Sequence, residues 1–118
     1  MDAPPPTRHP HYYHDADLGR FGEVARGAPE LAKKFFDWYG AVFAAGALTT
    51  REKSLIALAV AHAVQCPYCI DAYSKDALER GSNLDEMTEA VHVAAAIRGG
   101  ASLVHGVQML NRVDDLGM

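Results

Sequence analysis

The chain is predicted to be all-α on three observations: alanine dominates its composition, proline nearly vanishes after position 10, and apolar residues recur at helical spacing. Of its 118 residues 20 are alanine, the best helix former, and only Pro29 and Pro67 follow the first ten positions. No Asn-Gly or Asp-Gly pair marks a hairpin anywhere in the chain.

Residues 1–16 hold four of the six prolines together with His9, His11 and His14. That composition buries little apolar surface, so an extended arm is expected, and scattered histidines on an arm do not make a metal tract. Residues 17–118 are expected to form a single helical domain. Phe21 and Val24 predict a short helical turn before Gly27. Pro29 suits the first position of a helix, where its missing N–H removes no internal bond, and the next helix is predicted to reach about Phe43. Leu31, Phe35, Trp38 and Val42 form its apolar stripe, read as core. Thr49, Thr50, Arg51 and Glu52 fit a capping box that opens a second helix, apolar nearly all round as a central buried helix would be. Ile70, Tyr73, Ala77 and Leu78 continue a stripe that Gly81 closes. Ser82 or Asn83 then caps a last segment, with Glu86 placed for a second box. In that segment Gly99-Gly100 either splits the helix or marks a close crossing.

Charge and hydropathy exclude some function classes. Eleven Lys and Arg against 15 Asp and Glu give a net charge of -4, the wrong sign for a phosphate-binding footprint, so nucleic acid is not an expected partner. The longest apolar run, Leu55 to Ala61, is far short of the roughly 18 residues a membrane span needs. The opening MDAPPPTRHP lacks the apolar stretch of a secretory signal, so a cytoplasmic location is expected.

The chemistry concentrates in Cys66-Pro67-Tyr68-Cys69, which contains both cysteines of the chain. Zinc needs four ligands, no second cysteine pair exists, and His62, His92 and His105 would complete a site only if the fold gathered two of them, so no metal or other cofactor is expected. A structural disulfide across so short a loop would remove little chain entropy. Two inert packing thiols are the bland alternative. A redox dithiol has a mechanism behind it. With Cys66 as N-cap and Pro67 as first helical residue, the sulfurs meet free amide N–H groups and the positive end of a helix dipole, which favours thiolate. The second thiol then resolves a sulfenic acid or mixed disulfide. Cys-Pro-Tyr-Cys is also the glutaredoxin tetrapeptide, but a thioredoxin-type fold needs a strand before the motif and a cis-proline loop after it. An alanine-rich helical run precedes the motif here, and no proline follows Pro67.

The run from Arg51 to Gly100, with LIALAVAHAV, CPYC, DAYSKDALERG and AAAIRGGA, resembles the carboxymuconolactone decarboxylase and alkylhydroperoxidase AhpD family. The earlier stretch YYHDADLGRFGEVARGAPELAKKFFDWYGAVF resembles its arsenosugar biosynthesis-associated peroxidase-like branch. The resemblance implies an AhpD-like all-α domain with the CxxC at a helix N-terminus and a trimeric or hexameric homo-oligomer. It also implies peroxiredoxin-type peroxidase or disulfide-exchange activity, with a peroxide or disulfide substrate and a thioredoxin-like or lipoyl-type reductant. A lactone decarboxylase and a non-catalytic redox-sensing accessory of an arsenosugar pathway are the alternatives. In the AhpD pattern a proton relay uses a Glu twelve residues before the first cysteine, a His between the cysteines and a His four after the second. Those positions hold Ser54, Tyr68 and Tyr73, whose hydroxyls titrate too high to replace the relay near neutrality. Glu52 lies about 200° around the helix from Ser54 and suits the capping box instead. His62, one turn before Cys66, is the candidate base, with Tyr73 as hydrogen-bonding partner; a satisfied core histidine is the competing reading. Helix position favours Cys66 as the attacking sulfur, whereas the resemblance assigns peroxide attack to Cys69.

Overall fold

A computed structural model describes residues 13–117. The arm expected over residues 1–16, with His9 and His11, falls mostly outside the described residues. The described residues are helical, with no strand among them, and the chain divides into two compact units, Met1–Ala44 and Ala45–Met118.

The first unit pairs a 3₁₀ helix, Leu18–Gly27, with α1, Pro29–Phe43. The chain enters through a tight turn in which the His14 amide donates to the Asp17 carboxylate at 2.9 Å. Ala28 lies outside the helical region at φ -157° and ψ 72°, and Pro29 then starts α1 as its first residue. The aromatic side chains form one cluster: Phe21 meets Phe36 edge-on at 5.0 Å between ring centroids, Phe35 meets Phe36 at 5.4 Å, and Tyr39 meets Phe43 at 4.9 Å. The stripe expected to be core is not the covered one. Leu31, Phe35, Trp38 and Val42 are exposed, Trp38 at 63%, while the neighbouring stripe of Ala32, Phe36, Tyr39 and Phe43 is half-buried. Both stripes obey the helical period, so periodicity cannot choose between them.

The second unit holds α2, Thr50–Ala63; α3, Pro67–Glu79; α4, Leu84–Val104; and α5, Gly106–Asp115. Capping boxes open α2 and α4. Thr49 Oγ1 accepts from the Glu52 amide at 3.0 Å while Glu52 accepts from the Thr49 amide at 2.9 Å. Asn83 and Glu86 repeat the arrangement at 2.9 and 3.1 Å. Each box satisfies two amides that a helix start leaves without partners.

Helix α2 packs on both α3 and α4. Two side-chain links tie α2 to α4: Arg51 pairs with Glu86 near their N-termini, and Arg98 donates to the Ala63 carbonyl at the end of α2. Both links join residues 35 positions apart, so the two helices run parallel and in step. The links are twelve residues, about 18 Å, apart along each axis. Between them lie the few fully buried side chains, Ser54, Leu58 and Ala61 of α2 and Ala94 of α4, with Ala77 of α3. The opposite stripe of α2, Ile56, Val60 and Val64, is exposed, which corrects the expectation of a helix buried all round. Gly99-Gly100 neither splits α4 nor sits at a close crossing among the described residues. The helix continues to Val104, and a Cβ added at either glycine would meet nothing within 4 Å.

Candidate functional site

The connection between α2 and α3 is three residues long, and its backbone geometry aims Cys66. At the end of α2 the Gln65 amide donates to the His62 carbonyl at 3.2 Å and the Cys66 amide to the Ala61 carbonyl at 3.0 Å. This pair of bonds is a Schellman motif, which needs a left-handed residue between the cap and the emerging chain. Gln65 fills that role at φ 56°, where a side chain is normally disfavoured. The same motif closes α3 through Gly81, at φ 92°, with the Gly81 amide on the Leu78 carbonyl and the Ser82 amide on the Ala77 carbonyl.

Cys66 leaves the motif extended, at φ -100° and ψ 103°, and is the N-cap of α3. Its sulfur accepts from the Cys69 amide at 3.3 Å, the bond a Ser or Asp side chain makes at this position. Pro67 occupies the first helical position, as its fixed φ favours. An anionic sulfur here is stabilised both by that amide and by the positive end of the α3 dipole. Both thiols are free and partly exposed. The Cys69 thiol is pushed up to about 11, first by burial, then by its hydrogen bond to Cys66 and the charge on that sulfur. The two sulfurs therefore sit in unequal surroundings, Cys66 as the cap that accepts the Cys69 amide and Cys69 as the thiol held protonated.

His62 lies in the last turn of α2. Its Nδ1 is 2.8 Å from the Leu58 carbonyl oxygen. A carbonyl only accepts, so Nδ1 carries the hydrogen and Nε2 is the basic nitrogen of the neutral ring. Tyr73 is half-buried on α3, one turn beyond Cys69, and Tyr68 is half-buried between the cysteines. Ser54 is fully buried, its hydroxyl donating to the Arg51 carbonyl at 2.7 Å, so this position is a satisfied core site. The Glu52 carboxyl is held below the usual carboxylate range, chiefly by the Thr49 amide.

A shallow open groove of about 510 Å³ lies beside the motif, lined by His62, Gln65, Pro67, Ile70 and Asp71. Its wall is mostly apolar. The residues on either side of Cys66 belong to this lining. The sequence singles out His62 as a site residue, places Ile70 only in the apolar stripe of α3, and gives no site role to Gln65 or Asp71. The only available signal was that Pro67, Ile70 and Asp71 share one face of the first turns of α3. His92 is exposed on α4, and His105, at the junction of α4 and α5, has Nδ1 3.0 Å from the Gln108 side-chain oxygen. Among the described residues no group of three or more His, Cys, Asp or Glu is arranged to hold a metal ion. No helix of the described residues is long and apolar enough to cross a membrane.

Comparison with known proteins agrees with this helix order. The sequence model of the carboxymuconolactone decarboxylase family matches residues 29–112. Uncharacterized protein 4 in the cox locus of Paracoccus denitrificans is 40% identical over 95 residues, covering 80% of this chain and 86% of that one. A crystal structure from Methanobacterium thermoautotrophicum superposes with a TM-score of 0.70 at 37% identity, covering 73% of this chain and 97% of its own. The apo form of a carboxymuconolactone decarboxylase family protein from Legionella pneumophila superposes with a TM-score of 0.64 at 28% identity, covering 86% and 91%.

Proposed function

The chain belongs to the carboxymuconolactone decarboxylase family, and from that premise we propose that it is a dithiol oxidoreductase that reduces peroxides or disulfides at Cys66 and Cys69. The observation that carries this reading is the inequality of the two sulfurs. Cys66 caps α3 and accepts the Cys69 amide, while the Cys69 thiol is held protonated.

The reaction follows from that asymmetry. The Cys66 thiolate attacks one oxygen of a hydroperoxide; the O–O bond breaks, an alcohol leaves with a proton, and Cys66 becomes a sulfenic acid. Cys69 then attacks the Cys66 sulfur and water leaves. Two thiols and one hydroperoxide thus yield one disulfide, one alcohol and one water. Assignment of the first attack to Cys66 departs from the AhpD pattern, which gives it to the second cysteine, and rests on the cap position of Cys66 together with the raised Cys69 thiol. His62 is the base we assign to the Cys66 proton, because its Nε2 is basic and the ring lines the groove beside the motif. Tyr73 is assigned a supporting hydrogen bond to the same chemistry.

We also infer that the working form is a homo-oligomer, a trimer or hexamer. Exposed apolar side chains on α1, α2, α4 and α5 greatly outnumber the buried ones, and Ile97 and Leu103 stand 70% and 81% exposed. Apolar surface on this scale marks association faces.

The deciding experiment is peroxide consumption in excess dithiothreitol, followed beyond one equivalent per chain. Sustained turnover in the wild type, absent in Cys66→Ser and in Cys69→Ser, is the expected result. Consumption that stops at one equivalent with reductant present would show a sensor rather than an enzyme. Turnover that survives both substitutions would remove the dithiol from the chemistry.

A further inference from the structure

The groove beside Cys66 has an uneven character. Pro67 and Ile70 supply an apolar wall, His62 an imidazole ring, and Asp71 the only carboxylate; none of the lining residues is Lys or Arg. Asp71 is exposed and makes no ion pair or hydrogen bond among the described residues. The cations that share its helix are engaged elsewhere, Lys75 with Glu79 at 4.0 Å and Arg80 with Asp76 at 3.0 Å. Arg98, which reaches the end of α2, donates to the Ala63 carbonyl. Asp71 therefore has no ion-pair partner of its own among the described residues. A reactive Cys66 thiolate adds a second negative charge, against about half a positive charge from the α3 dipole.

We propose that this groove receives one arm of a small disulfide, its apolar part against Pro67 and Ile70 and a cationic group near Asp71, so that the dithiol exchanges with cation-bearing disulfides in preference to anionic ones. The proposal rests on the dithiol reading above and specifies its substrate class. A groove of this volume accommodates an organic arm rather than a bare peroxide oxygen pair. Cys66 as thiolate attacks one sulfur of the substrate disulfide, that S–S bond breaks, and the first thiol leaves with a proton. Cys69 then attacks the Cys66 sulfur of the mixed disulfide and the second thiol leaves with the Cys69 proton. Two protein thiols and one disulfide give one protein disulfide and two small thiols.

The test uses the full chain, reduced, against three disulfides of similar length: cystamine, which is cationic, hydroxyethyl disulfide, which is neutral, and dithiodipropionate, which is anionic. Rates of Cys66–Cys69 disulfide formation are read by mass spectrometry near pH 8, where an ordinary imidazole is neutral. With each rate divided by that of free cysteine on the same reagent, which removes the difference in leaving thiols, the order cation, neutral, anion is expected at low salt, with a cation-to-anion ratio of about tenfold or more that shrinks in molar salt. Asp71→Asn should cut that ratio at least about threefold, and Asp71→Lys should bring it to one or below. A wild-type ratio near one, or a ratio that Asp71→Asn leaves unchanged, overturns the proposal while leaving the dithiol reading intact. Failure of all three reagents to form the Cys66–Cys69 disulfide, the neutral one included, overturns both.

Discussion

Gln65 and Gly81 occupy the same position at the ends of successive helices: each is the left-handed residue of a Schellman motif, at φ 56° and 92°. Gly81 adopts that conformation freely, and Gln65 does not. The strained residue stands next to Cys66 and in the wall of the groove. Gln65→Gly is expected to raise unfolding free energy by about 1 kcal/mol in urea titrations at fixed protein concentration. Gln65→Val, whose branched Cβ tolerates this region worse, should lower it by at least about as much. Equal stability of all three proteins would show that the turn carries no strain.

The two thiols should differ in alkylation. With iodoacetamide near neutral pH, peptide mapping is expected to find label on Cys66, with Cys69 labelled only as pH approaches 11. In Cys66→Ser the Cys69 thiol loses its sulfur neighbour but keeps its burial, so its profile should move only part of the way towards an ordinary cysteine. Preferential label on Cys69 in the wild type would reverse the assigned order of attack.

The same shift predicts a pH dependence of stability. Folded Cys69 titrates at about 11, whereas an unfolded cysteine titrates at about 8.5. Between these values the folded chain keeps a proton the unfolded chain has lost. The associated stability is fully present below the lower value and is lost as pH rises to the upper one. Reduced wild type should therefore show a melting temperature that falls more steeply over this alkaline window than that of Cys69→Ala. Parallel curves would refute the shift.

His62→Ala is expected to slow Cys66 alkylation near pH 7 by about three- to tenfold, because Cys66 loses the group assigned to take its proton. His62→Gln, a side chain that hydrogen-bonds but does not titrate, should be slow as well, while both variants keep wild-type melting temperature and size. Unchanged kinetics would return His62 to a structural role on the Leu58 carbonyl.

Light scattering at micromolar concentration should find a trimer or hexamer. Ile97→Glu combined with Leu103→Glu, at positions already open in the single chain, is expected to reduce the particle size while circular dichroism stays helical. A monomeric wild type would contradict the inferred assembly.

Sequence alone determined where most helices begin and end, because those signals are local. Pro29 starts α1, Thr49 with Glu52 opens α2, Cys66 with Pro67 opens α3, Gly81 closes it, and Asn83 with Glu86 opens α4. Each is a hydrogen bond or a fixed dihedral within about four residues of chain, so reading neighbours suffices. The dithiol was legible for the same reason, since its spacing and its cap are one feature. Only the tertiary structure decided which stripe of α1 is covered, because two adjacent stripes satisfy one period. It also decided that Gly99-Gly100 is neither a break nor a crossing, and that Arg98 reaches Ala63 across 35 residues. Gln65 and Asp71 lie close to Cys66 in sequence, yet only the structure showed them in the groove wall, because the left-handed turn at Gln65 runs against the preference of that residue and carries no sequence signal.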